Sequence, residues 1–372
     1  MCFEKLVYLY TVLNESYINK YPGVNKKVNS QVNEFNRAGI KTDLKVVCCE
    51  PMLKRMLPFH TSSIDWMHFK VWEDYDGLYL RYPMSDYQML RWFREIKKHK
   101  PMFKIVIEIP TFPYEKELSQ RNKLIIFRDE RYRKSLKKNV DRIVVNNGNN
   151  EVFGVPAIIT PNGIDLKTVR KRKPVEVEEN KINLCFVAAF AMWHGADRLL
   201  NGLRDYYLSG GQEDIVVHMV GNGEENVMNP LKALAMDKSI SERIRFYGFM
   251  DGEELSRMYD KCQLAVASLG LHRLQIDAPS TLKSREYLAR GIPFIYASEI
   301  ADFKEHPVNF AFQISADDAP VNFFDVIKFY RNLLEKNNVN DLTSRIRKYA
   351  EDYVSIEKTM KPIVDYYQAK DD

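Results

Sequence analysis

Short apolar runs alternate with segments of helical period along this chain, and the alternation runs through twice. "KLVYLYTV" (5–12) reads as a buried strand, and a loop with a Pro-Gly turn follows it. "NKKVNSQVNEFNRAG" (25–39) reads as a helix, with Val28, Val32 and Phe35 at helical spacing and Gly39 as its stop. "TDLKVVCC" (42–49) is the next strand, with its adjacent cysteines taken as core. Strands at 75–83, 104–110, 141–147 and 156–163 are separated by helices at 86–99 and 121–139. A charged stretch, "DLKTVRKRKPVEVEENK" (165–181), then interrupts the pattern and reads as a linker or surface crossing. A second series follows: strands at 182–189, 215–223, 243–249, 263–269 and 293–298, and helices at 196–210, 229–236, 251–262 and 281–290. Helices over 323–336 and 342–368 close the chain, the last long enough to return to the first half. Strand–helix alternation of this kind implies parallel sheets covered by helices on both faces. The expected architecture is therefore α/β: two Rossmann-like domains facing a central cleft, with the C-terminal helix crossing back to the first. The domains are drawn at 1–165, 166–348 and, for the returning helix, 349–372.

Charge supports two halves with different partners. Residues 1–165 hold 27 Lys and Arg against 19 Asp and Glu, a net of +8, while the remainder nets −3. No run approaches the ~18 apolar residues of a membrane-spanning helix. The N-terminus lacks the basic start and apolar run of a signal peptide, so the expectation is a cytoplasmic protein. Cys2, Cys48, Cys49, Cys185 and Cys262 follow no metal-ligand spacing, and no metal is expected. Nucleic acid is not an expected partner, since no motif for it is present. The basic helices at 86–99 and 121–139 suit an anionic membrane surface, with Trp92 and Phe93 as wedges and a solvated face as the alternative.

The stretch "DAPSTLKSREYLARGIPFI" (277–295) carries the most chemistry. Ser280 or Thr281 caps a helix that begins near Leu282, and Gly291 and Pro293 end it. Free N–H groups and the dipole stabilise an anion at such an end. Lys283 in the first turn is unfavourable there unless something negative faces it, as a diphosphate would. Glu286 lies one turn on, on the same side, where a carboxylate can accept ribose hydroxyls; a solvated helix face is the alternative for both. Four further segments fall at strand carboxyl ends, where open α/β sheets bind ligands. They are "NGID" (162–165), "AMWHGAD" (191–197) with Trp193 and His194, "GNG" with Gly221, Asn222 and Gly223, and "YGF" with Gly248 and Phe249.

In this order these segments resemble glycosyltransferase family 4, the retaining enzymes of the two-domain GT-B fold, best over roughly 155–300. "REYLARGIPFI" matches that family's signature helix. The resemblance implies that Glu286 binds the nucleotide ribose and that Lys283 contacts the diphosphate of a nucleotide-sugar donor, with no cofactor besides that substrate. It implies transfer to a glycan or lipid-linked acceptor, with retention, in cell-surface polysaccharide or glycolipid synthesis by a hexosyltransferase; the basic helices, if they rest on the membrane, would make it peripheral on the inner face. Two departures stand out. Ala278 occupies the family's first Glu position, with Asp277 adjacent. The family's Arg and Lys after the second domain's first strand are missing, so His194 stands at the Lys position and Arg273 is the candidate replacement charge. On the acceptor side, Gly23 lets backbone approach phosphate, and the loop after 104–108 offers Glu108, Thr111 and Tyr114, with no histidine. Glu108 is either a group that orients or deprotonates a hydroxyl or a structural carboxylate; Arg81 ends a neighbouring strand. The alternatives are a non-catalytic nucleotide-sugar-binding subunit and a nucleotide-sugar 2-epimerase.

Overall fold

The computed structural model describes residues 3–12, 22–49, 64–114, 123–275 and 280–369. The chain forms two compact units, Met1–Gly163 with Ile356–Asp372, and Ile164–Ser355.

In the first unit, β1 (Lys5–Val12) is followed by α1 (Pro22–Arg37), β2 (Lys41–Cys48), β3 (Gly77–Arg81), α2 (Tyr87–His99), β4 (Lys104–Glu108), α3 (Lys123–Arg133), β5 (Arg142–Val145), β6 (Glu151–Val152) and β7 (Val155–Ile159). The sheet order is β2-β1-β3-β4-β5-β7-β6, parallel except for the β6–β7 pair. Strands β1, β3 and β4 are buried almost throughout, because helices cover both sheet faces. The order reverses between β1 and β3, which makes their carboxyl ends the switch point of this sheet.

The second unit opens with β8 (Lys181–Val187), α4 (Ala196–Leu208), β9 (Asp214–Val220), α5 (Glu225–Ala235), β10 (Ile244–Gly248) and α6 (Gly252–Lys261). It continues with β11 (Leu264–Val266), α7 (Leu282–Arg290), β12 (Phe294–Tyr296), α8 (Ala301–Glu305), β13 (Ala311–Gln313), α9 (Phe323–Lys336) and α10 (Val339–Tyr349). All six strands are parallel, in the order β10-β9-β8-β11-β12-β13. Numbered within the unit this is 3-2-1-4-5-6, the dinucleotide-binding order, with the switch point between β8 and β11.

A π-helical turn over Ala350–Val354 follows α10, and α11 (Ile356–Gln368) belongs to the first unit. There Ile356, Met360, Ile363, Val364 and Tyr367 join Leu6, Tyr8, Phe35 and Tyr79 in one core, and the Tyr367 hydroxyl donates to the Leu78 carbonyl at 2.8 Å. Each such side chain contributes roughly 1.5–3 kcal/mol of burial.

Several local expectations need correction. Pro22 and Gly23 open α1 instead of forming a turn, Pro being well suited to a first helical position. α5 starts at Glu225 and carries Pro230 inside it. The expected single helix over 342–368 is two, broken at the π turn and Ser355. Cys48 is exposed and Cys49 half-buried, because β2 is the edge strand. Trp92 and Phe93 are no membrane wedges: both are fully buried with Met89 and Ile96, and the Trp92 Nε1–H donates to the Phe69 carbonyl at 2.7 Å. No described helix is long and apolar enough to cross a membrane.

Candidate functional site

At the second unit's switch point three loops are bound to one another through backbone. After β8 the Ala188 and Phe190 amides donate to the carbonyls of Val220, the last residue of β9, and of Asn222 beyond it. Leu269 and Gly270, after β11, donate to the carbonyls of His194 and Trp193. This closeness needs glycine: a Cβ on Gly221, whose φ is 121°, would lie 1.8 Å from the Ala188 oxygen, and one on Gly223 would lie 2.5 Å from that of Phe190. The Gly221 amide also donates to the Gly248 carbonyl at 2.6 Å. Gly221 and Gly223 thus let backbone meet backbone. Asn222 and Phe249 stand exposed beside them.

α7 enters this rim from below. Thr281 is its N-cap, with Oγ1 accepting from the Ser284 amide at 3.4 Å, and Gly291 in the left-handed region is its C-cap. Leu282 is the first helical residue, and the Ser280 hydroxyl accepts from Arg285 at 3.0 Å. Lys283 has a partly exposed stem, but its Nζ is buried 5.3 Å from the centroid of the Phe186 ring on β8, with no hydrogen-bond partner among the described residues. Burial pushes its pKa well below the ordinary 10.5. Glu286 is partly exposed one turn on, and its Oε1 accepts from Arg290 at 3.0 and 2.9 Å; Arg290 in turn lies over Tyr259. Asp277 falls outside the described residues.

His194 ends a short 3-10 turn, Met192–His194, and its Nδ1 accepts from the Ala191 amide at 3.1 Å. That bond fixes the neutral tautomer with its proton on Nε2. Burial first, and the charge Lys283 carries when protonated second, hold its pKa well below 6.5, so it is neutral at pH 7. Trp193 packs beside it with ring centroids 5.9 Å apart. Arg273 is already engaged: it meets Asp197 at 3.0 and 2.8 Å, Asp318 at 2.7 Å and the Met192 carbonyl at 2.7 Å. It braces the turn that carries Trp193 and His194, and its charge is shared with those two carboxylates. Lys283, Thr281, Trp193 and His194 are therefore brought to one rim, and Arg273 supports that rim from behind.

In the first unit, Glu108 ends β4 and is buried. Its Oε1 accepts from Lys27 Nζ at 2.5 Å and Gln31 at 3.3 Å, and its Oε2 from Tyr8 at 3.3 Å and Arg81 at 3.5 Å. Burial raises its pKa, but the Lys27 and Arg81 charges and the bonds from Lys27 and Gln31 outweigh it and leave the carboxyl below its ordinary value. For Lys27 the balance runs the other way, burial lowering it despite Glu108. The 2.5 Å contact and the lowered Glu108 make the ion pair the form present at neutral pH. The bonds of Glu108 run to side chains, not to backbone, and a carboxylate so enclosed holds β4, β3 and α1 together. Thr111 is half-buried on the loop beyond β4, and Gly23 is exposed in the first turn of α1. The buried Tyr114 hydroxyl donates to Asp129 and accepts from Arg133 at 3.2 Å. Lys27, Gln31 and Phe186 were missed in the sequence. The first two lie four apart, next to the apolar stripe of Val28, Val32 and Phe35, a signal that was present; Phe186 had none. Among the described residues, no three His, Cys, Asp or Glu side chains converge on a point where a metal ion would be held.

Residues 168–304 match the family described as glycosyl transferases group 1. No curated protein matches the chain significantly. Among solved structures, a sucrose-phosphate synthase from Thermosynechococcus elongatus superposes with a TM-score of 0.69 at 15% identity, over 98% of each chain. The Anabaena protein HepE, solved with UDP and glucose, gives 0.62 at 10% identity over 98% of this chain and 99% of its own. WaaG, a glycosyltransferase involved in lipopolysaccharide biosynthesis, gives 0.58 at 12% identity over 98% and 100%. The chain thus has an α/β fold of two Rossmann-like units of the GT-B type, and its second unit is similar in sequence to group 1 glycosyl transferases.

Proposed function

We propose that the protein is a glycosyltransferase that binds a nucleotide-diphosphate sugar on its second unit and passes the sugar to an acceptor hydroxyl, with retention. The observation that carries this reading is the buried amino group of Lys283, without a partner among the described residues, at the carboxyl-end switch point of a 3-2-1-4-5-6 sheet. A buried amine with no counter-charge is costly in itself and becomes favourable only when an anion faces it. The amino end of α7 and the Nε2–H of His194 supply further donors to the same anion. As the glycosidic bond breaks, charge builds on the leaving diphosphate, and positive groups held there beforehand lower the barrier. Glu286 has one oxygen outside its bonds to Arg290 with which to meet a ribose. The first unit is assigned the acceptor, with Thr111 as its testable polar group; Glu108 acts there by position, not as a base.

The group 1 match and the likeness to UDP-bound HepE support a nucleotide-sugar donor. The likeness to WaaG supports a glycolipid or polysaccharide acceptor. Contact with an anionic membrane belongs to this reading on changed residues: Phe127 is 67% exposed on α3, one turn before exposed Arg131 and followed by exposed Lys134, Lys137 and Lys138. Pelleting with anionic vesicles, lost on Phe127→Ser, tests that part. Donor hydrolysis by the purified protein, abolished in Lys283→Met, tests the central one. A second reading, a nucleotide-sugar-binding subunit without activity, is favoured by the engagement of Arg273 with Asp197 and Asp318. Binding without any donor hydrolysis or transfer would select it.

A further inference from the structure

The group that faces the anion in this reading is oddly prepared for it. The Lys283 amine is enclosed over an aromatic ring, with no oxygen to bond among the described residues. The neighbouring charges are already matched. On the turn after β11, Arg273 is held by Asp197 of α4 and by Asp318, which also takes His272. On α7 itself, Arg285 is paired with Asp302 and Glu286 with Arg290. On α10 and the π turn, which pack against α7, Arg347 is paired with Glu351 and Lys348 with Asp352. Among the described residues none of these carboxylates is left over to keep a proton on Lys283, and an enclosed amine without a counter-ion prefers to be neutral.

We infer that the donor's diphosphate is bound together with a proton: Lys283 is uncharged until the anion arrives, takes a proton from solvent as the anion seats, and returns it when the nucleotide leaves. The inference rests on the reading above. The other basic group at the rim is His194, and its geometry removes it as the acceptor of that proton. Its Nδ1 lone pair already accepts the Ala191 N–H, and its Nε2 already carries hydrogen. Protonating His194 would break the bond that shapes its turn, whereas protonating Lys283 breaks none. The balance is one solvent proton and one neutral amine giving one ammonium ion, with the ion pair to phosphate formed in the same event. The lowered pKa of Lys283 agrees with this.

Titration calorimetry of the full chain with uridine, guanosine and adenosine diphosphates tests it. The measurement is made at pH 8, where a terminal phosphate of pKa near ~6 is ionised, in two buffers of different ionisation enthalpy. The expected result is an apparent enthalpy that changes with buffer, reporting uptake of about one proton per site. Lys283→Arg, permanently charged, is expected to bind with that dependence gone, and Lys283→Met to bind more weakly, also without it. His194→Gln is expected to keep the dependence. Binding by the wild type with no buffer dependence would overturn the inference and leave the proposed function standing. Dependence that survives in both Lys283 variants would overturn it too. Absence of binding by all three nucleotides would overturn the site and the inference together.

Discussion

The two sheets each place cationic side chains at the carboxyl ends of the strands where their order reverses, and they treat them in opposite ways. In the first unit Lys27 and Arg81 converge on Glu108, with Gln31 and Tyr8 filling the remaining positions around that carboxylate. In the second, Lys283 has the Phe186 ring beside it and, among the described residues, no hydrogen-bond partner. A matched cluster is complete within the protein and is needed by the fold. An unmatched one weakens the fold and is explained only by a partner from outside. A basic side chain alone does not mark a ligand site; one left over after the internal pairs are assigned does.

That contrast can be broken most forcefully in the first unit. Glu108→Ala strands Lys27 and Arg81 without their anion and is expected to destabilise by about 3–5 kcal/mol, a fall on the order of 10 °C in Tm. A loss of nucleotide binding with unchanged Tm would reverse the roles assigned to the two clusters. Next in size is Lys283→Met, expected to weaken nucleoside diphosphate binding by about 1.5–3 kcal/mol while Tm stays level or rises. A fall in Tm would mean that Lys283 is a structural residue after all.

Thermal melts against pH sharpen the same comparison. The lowered carboxyl of Glu108 gives stability that is present above its ordinary 4.5 and is lost as pH falls through the folded-state value. Lys283 is a base with a lowered folded-state pKa, so its cost is greatest at low pH and fades as pH rises toward 10.5. The stability gap between Lys283→Met and wild type is expected to narrow over that rise, and a widening gap would contradict the burial argument. Thr281→Ala removes one cap and is expected to cost about 1 kcal/mol. Arg273→Lys should cost least, about 0–1 kcal/mol, because its partners Asp197 and Asp318 are largely in solvent.

Much of this architecture is legible in the chain before any coordinates. The strands of both sheets are short apolar runs, and the α7 helix announces itself through Thr281, Gly291 and Pro293. Lys283 and Glu286 follow from their three-residue spacing. What the chain conceals is which polar groups find each other across long separations. Arg273 is drawn to Asp197 and Asp318 through contacts 76 and 45 residues apart, and no local pattern encodes those. Gly221 and Gly223 admit the backbone of Ala188 and Phe190, which stand over thirty residues earlier, so that packing is not visible in the local sequence. Trp92 and Phe93 are a different case: Met89, Trp92, Phe93 and Ile96 already mark one buried helical face at 3.6-residue period. The basic residues around them drew attention to the wrong side.

The return of α11 to the first unit also bears on biogenesis. Ile164–Ser355 is one continuous stretch and can assemble as soon as it leaves the ribosome. The earlier-made sheet must wait, because Met360, Ile363 and Tyr367, which complete its core, are translated only after the whole of that stretch. A nascent chain stalled before Ile356 would therefore carry a finished later lobe beside an unfinished earlier one, with the apolar side of α1 and β1 open to chaperones.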